Sequence, residues 1–153
     1  MLKYTFISKS EIDTRDIAGK IINHLHPGDV VLLTGDLGAG KTTFVGGILA
    51  ALGYKDHVIS PTFNILKCYF EVKPNIFHID AYRLEGQNID IGLDEFIEGN
   101  GVTFIEWPKY IEPLIPSRSL EISLTRISDK KREIRVVDKT ESFKEVFTAL
   151  EEK

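Results

Sequence analysis

Residues 35–44 read GDLGAGKTTF, with three glycines, a lysine and two threonines in ten positions. Gly35, Gly40, Lys41 and Thr42 fit the spacing G-x-x-x-x-G-K-[ST]. Just before them, DVVLLTG is a short unbroken apolar run of the kind that forms a strand buried on both faces. Just after them, Phe44, Ile48 and Leu52 recur at helical spacing, and Gly53 is placed to end that helix. Glycines between such a strand and helix let the chain wrap tightly and turn successive N–H groups inward, which makes a concave anion site. The helix adds the positive end of its dipole. On this reading the backbone of Gly38, Ala39 and Gly40 cradles phosphate. Lys41 reaches the β- and γ-phosphates, the Thr42 hydroxyl ligates Mg²⁺ and Thr43 touches the α-phosphate. The pattern is that of a phosphate-binding loop.

Such a loop needs groups that organise a metal ion and a water. In NIFHID an apolar strand ends in Asp80, and VTFIE repeats the arrangement with Glu106. Carboxylates at the C-terminal ends of sheet strands lie on the edge where α/β proteins bind ligands. Asp80 suits a Walker-B role, holding Mg²⁺ directly or through water, and Glu106 either completes the metal shell or orients the attacking water. His78 lies two residues before Asp80 and shares its strand face, so it either supports this site or is a packed core histidine. His24 and His26, two apart on a helix, point to different sides and make no metal pair.

Working outward, KYTFIS alternates as a short strand. Ser8 and Glu11 stand at capping-box spacing, so a helix is expected to begin there. Ile17, Ile21 and Leu25, with Ala18 and Ile22 beside them, form its apolar stripe, and HPGD stops it. FNILKCYF, NIFHID and VTFIEW read as further strands, with LDEFIE as a short helix between the last two. SLEISLTRI and REIRVVD, joined across SDKK, read as a β-hairpin. Phe143, Val146, Phe147 and Leu150 give a closing amphipathic helix. The expected fold is a three-layer α/β, P-loop NTPase-like domain over residues 1–153, with a mixed sheet and a C-terminal β-hairpin.

Composition narrows the class. The chain has 153 residues, 42% of them apolar and 27% charged, which suits one soluble domain with a real core. No apolar run nears the roughly 18 residues that cross a bilayer. The opening MLKYTFISKSEID is charged where a secretory leader would be apolar, and the one cysteine, Cys68, has no internal partner. A cytoplasmic protein with Cys68 as a buried thiol is therefore expected. The formal net charge of −4 argues against a protein that grips nucleic acid by itself. Only SDKKREIR is locally basic, which suits a charged strand edge. A GTPase would need a guanine-reading N-K-x-D, which is missing, and no arginine lies between Gly53 and Asp80 to serve a kinase lid.

GDLGAGKTTF, SPTF, HIDAYRL, GLDEF and FIEWP, in this order and spacing, resemble the bacterial TsaE (YjeE) family across essentially the whole chain. The resemblance implies an ATPase of the machinery that makes threonylcarbamoyladenosine in tRNA. It would act with TsaB- and TsaD-type partners that carry most of the tRNA contact, ATP resetting the complex between turnovers. By matching position it implies that Lys41 and Thr42 bind phosphate and Mg²⁺. It also implies that Asp80 and Glu106 form the metal and water side, and that Thr62 in SPTF senses the γ-phosphate. Trp107 would lie near the nucleotide, with Glu11 and Arg132 at the adenine. Where the family usually continues with a threonine and then an acidic residue before a tyrosine, this chain has Lys67 and Cys68. Weak hydrolysis by the isolated chain is expected, since nothing in the sequence supplies an arginine finger. The competing readings are a stand-alone small-molecule kinase and a non-hydrolysing regulator fastened by ATP.

Overall fold

Two kinds of strand build the sheet, and their burial patterns tell them apart. The computed structural model describes residues 1–36, 38–59, 61, 64–87 and 91–152. Strands β2 (Val30–Thr34), β4 (Ile76–Asp80) and β5 (Val102–Glu106) are buried on both faces almost throughout. They pair in parallel, β2 with β5 and β5 with β4, as doubly covered strands do. Strands β1 (Leu2–Ser8), β6 (Leu120–Arg126) and β7 (Arg132–Asp138) alternate between buried and more open positions, the signature of one covered face. β3 (Leu66–Tyr69) pairs antiparallel to β4 at one edge. The seven-stranded order is β1-β7-β6-β2-β5-β4-β3, with β6 parallel to β2 and the hairpin β6–β7 carrying β1 antiparallel on its far side. The sheet is mixed, and the C-terminal hairpin is part of it.

Helices α1 (Glu11–Ile22), α2 (Lys41–Ala51) and α4 (Lys144–Glu151) cover one face. Ile17, Ile21, Phe44, Ile48 and Phe147 meet Val31, Leu33, Phe104 and Ile122 there. Across the sheet, Leu32, Ile79 and Ile105 pack on a thinner layer made of α3 (Asp94–Ile97) and the 3-10 segments Tyr82–Leu84 and Pro108–Leu114. These are the three layers. The sequence reading did not anticipate the 3-10 segments, which lack a helical stripe.

Two local expectations are corrected. α1 is capped by Ser10, whose backbone is extended and whose hydroxyl accepts from Asp13 N, while Asp13 accepts from Lys9 N. Ser8 ends β1 instead, fully buried and hydrogen-bonded to the Thr14 hydroxyl. Cys68 is only half-buried on the edge strand β3. Among the described residues, no helix is long and apolar enough to cross a membrane.

Candidate functional site

The loop after β2 takes its shape from backbone that only glycine tolerates. At Gly35, a β-carbon would sit 2.5 Å from the Leu124 carbonyl oxygen of β6, and φ is +149°. Gly40 adopts a left-handed conformation (φ +102°) as the residue before α2, and among the described residues no side chain caps that helix. The first amides of α2 are thus left for a ligand to satisfy.

Lys41, first residue of α2, is 8% exposed. Its Nζ donates to the Gly35 carbonyl at 2.7 Å and lies 3.6 Å from Glu106 Oε1. It also sits 4.6 Å from the centre of the Trp107 ring. The register of β4 and β5 sets Asp80 opposite Glu106. Both lie on the strand face that packs against α2, as the parity with Ile76, Val102 and Phe104 requires. Asp80 Oδ1 accepts from Tyr82 N at 3.0 Å. Glu106 Oε2 takes a hydrogen bond of 2.6 Å from Nε2 of the fully buried His78. Between the two alternatives for His78, the geometry therefore favours a residue that supports the site.

Trp107 follows Glu106 with a left-handed backbone (φ 56°, ψ 51°), a strained choice for so bulky a residue. That turn lays its indole over Lys41, stacks it on Tyr110 and brings it beside Tyr82. A hydrogen bond to Glu85 pushes the Tyr110 phenol up from its ordinary value.

These groups open on a cleft of about 620 Å³. Lys41, Thr42, Asp80, Glu106, Trp107 and Arg132 all line it, with Gly38, Gly40, Thr43 and Glu11. Ala39, named with its neighbours from the sequence, is buried, and its carbonyl accepts from Arg132 Nε at 3.1 Å. Arg132 also donates to the Gly38 and Ser128 carbonyls, tying the turn of the β6–β7 hairpin to the loop. The basic SDKKREIR segment is thus more than a charged edge. A second hollow of about 390 Å³ lies between the start of α1 and that turn, lined by Glu11, Thr43 and Arg132 among others. Thr62 lies outside the described residues. Tyr82 was missed by sequence reasoning; it stands two residues after Asp80, half exposed at the cleft.

Oxygen donors from Thr42, Asp80 and Glu106 suit a hard cation such as Mg²⁺. Among the described residues no group of three or more His, Cys, Asp or Glu side chains gathers as a metal cage. A Mg²⁺ ion here would take its remaining ligands from phosphate and water, which is its ordinary habit.

Comparison with known proteins points one way. A family model described as threonylcarbamoyl adenosine biosynthesis protein TsaE matches residues 8–134. A Bacillus subtilis protein described as tRNA threonylcarbamoyladenosine biosynthesis protein TsaE is 43% identical over 133 residues, 87% of this chain and 83% of that one. A Rickettsia bellii protein of the same description is 39% identical over 135 residues, covering 86% and 93%. The crystal structure of Bacillus subtilis YdiB superposes with a TM-score of 0.84 at 34% identity, covering 97% of this chain and 94% of that one.

Proposed function

The chain belongs to the TsaE family, and from that premise we propose that it is the ATP-binding and ATP-hydrolysing subunit of the machinery that forms threonylcarbamoyladenosine next to the tRNA anticodon. The observation that carries this reading is the convergence of Lys41, Asp80 and Glu106, from three separate elements, on one cleft at the mouth of the glycine loop.

In that cleft the amides of Gly38 to Thr42 and the Lys41 ammonium hold the triphosphate tail, and Thr43 contacts the α-phosphate. Thr42 and Asp80 hold Mg²⁺, with Glu106 at the water side. When bound, the ion neutralises charge on the β- and γ-phosphates. Glu106, with one oxygen committed to His78, keeps Oε1 towards Lys41 and the place of the γ-phosphate. Trp107 walls the cleft against solvent. The hollow between Glu11 and Arg132 receives the base, and Thr62 senses the γ-phosphate.

Hydrolysis by this chain alone is slow on this reading. Lys41 and Arg132 are the cations among the described residues lining the cleft, and Arg132 is already bonded to loop carbonyls. The missing transition-state charge comes from TsaB- and TsaD-type partners, which also carry the tRNA contact that a net charge of −4 disfavours here. The setting is the cytoplasm.

The test is reconstitution with TsaB- and TsaD-type proteins and unmodified tRNA, counting modified adenosines per complex. Multiple turnovers are expected with this chain and Mg-ATP, and a stall after about one turnover without it or with Glu106→Gln. Equal product with and without the chain refutes the reading. Labelled phosphate appearing on a small metabolite would move it to the kinases.

A further inference from the structure

The geometry points to His78 as a positioning residue: it holds the Glu106 carboxylate in one orientation, so that Oε1 rather than Oε2 faces the reaction. This rests on the function proposed above and assigns a task which that reading leaves open.

Three observations carry it. His78 is fully buried in the middle of β4, on the same strand face as Asp80 and one diagonal position from Glu106 across the parallel pair. Its Nε2 meets Glu106 Oε2 at 2.6 Å, well inside the distance of a neutral N–H···O bond and at the short end of those made to a carboxylate. Its other ring nitrogen, Nδ1, finds no partner among the described residues. A packing role would be served as well by phenylalanine, without a buried nitrogen left unsatisfied. The polar service this ring performs is therefore the one to Glu106.

The effect on Glu106 is specific. A glutamate side chain has three torsions, and a carboxylate at the end of a strand would otherwise turn freely between Lys41 and other donors. Binding Oε2 from below removes that freedom and leaves Oε1 3.6 Å from the Lys41 ammonium, at the cleft. A water hydrogen-bonded to Oε1 is then held in one place relative to the end of the phosphate chain, and orientation of this kind is a large part of catalysis without covalent chemistry. Because a carboxylate only accepts, Nε2 must carry the hydrogen.

Two variants and one spectrum test this. His78→Phe keeps the volume and removes the donor, whereas His78→Gln keeps an N–H at nearly the same reach. For His78→Phe, kcat for ATP hydrolysis should fall about 10- to 100-fold with Kd for Mg-ADP changed less than about threefold, and His78→Gln should recover most of that loss. Crystals of His78→Phe should show the Glu106 carboxylate turned from its parental position. Parental kcat in His78→Phe, or equal loss in both folded variants, overturns the proposal. If the parent chain fails to hydrolyse ATP, the function proposed above falls. The crystals still decide this inference, since an unmoved Glu106 in His78→Phe overturns it. Should His78→Phe not fold, long-range ¹⁵N–¹H spectra of the unsubstituted chain decide. The His78 ring should carry its hydrogen on Nε2, and a ring protonated on Nδ1 alone overturns the assignment.

Discussion

Replacing Lys41 with methionine keeps an unbranched side chain and removes the charge that lies 4.6 Å from the centre of the Trp107 ring. In the parent, the ammonium lies 3.6 Å from Glu106 Oε1, where at an effective dielectric of about 20 two unit charges attract by roughly 4–5 kcal/mol. Without it, the cleft presents Asp80 and Glu106 to an incoming polyanion with no Lys41 cation between them. On the function proposed above, the variant would also lose two charge-assisted hydrogen bonds to phosphate oxygens, each about 1.5–3 kcal/mol. Some of this is offset, because the parent ammonium loosens its hold on Glu106 when phosphate arrives. A net loss of about 3 kcal/mol follows, or roughly two powers of ten in Kd for Mg-ATP. Calorimetric titration of both proteins measures it, with a thermal melt to show that the variant is folded. A Kd within about threefold of the parent would refute the reasoning, since it would mean that no phosphate sits at Lys41.

Other expectations follow from named contacts. Arg132→Ala removes the bonds to the Gly38 and Ala39 carbonyls. Mg-ATP affinity should fall about tenfold and amide exchange across residues 38–41 should quicken; unchanged protection there would contradict the tie. Gly47→Ala puts a β-carbon 2.6 Å from the Arg15 Cα where α1 crosses α2. After the gain in helix propensity, the melting temperature should still drop by about 2–8 °C, and a rise would show that the crossing yields easily. Burial raises the Cys68 thiol above its ordinary pKa, with neighbouring Lys67 opposing more weakly. A raised thiol carries less thiolate at any given pH, so alkylation should be slower than for free cysteine and its pH midpoint higher; a lower midpoint would contradict the shift.

The glycine loop was legible because each of its features is a residue type: glycine where the backbone turns, a lysine and hydroxyls where the next helix begins. Asp80 and Glu106 were legible because an apolar run that stops at a carboxylate marks a strand end. What tied them together was not. The bond between His78 and Glu106, 28 positions apart in the chain, arises from the parallel register of β4 and β5. The left-handed turn that stacks Trp107 on Tyr110 is announced by no residue pattern. Capping-box spacing misled by two residues, since Ser8 and Ser10 both precede acidic residues; burial of Ser8 in β1 left Ser10 at the helix. Arg132 appeared on a charged edge, and only the hairpin's course beside β2 brings it onto the loop.

The sheet order has a bearing on how the chain is made. Of the described strands β1 is made first, yet among them it pairs with β7, the last to emerge. The carbonyl that presses on Gly35 and the guanidinium that grips Ala39 belong to the same late hairpin. A nascent chain that has reached only β5 therefore has an unpaired first strand and a loop without its outer wall. Such a fragment should not retain nucleotide, and nascent chains arrested before Leu120 should stay open to protease whether or not ATP is present.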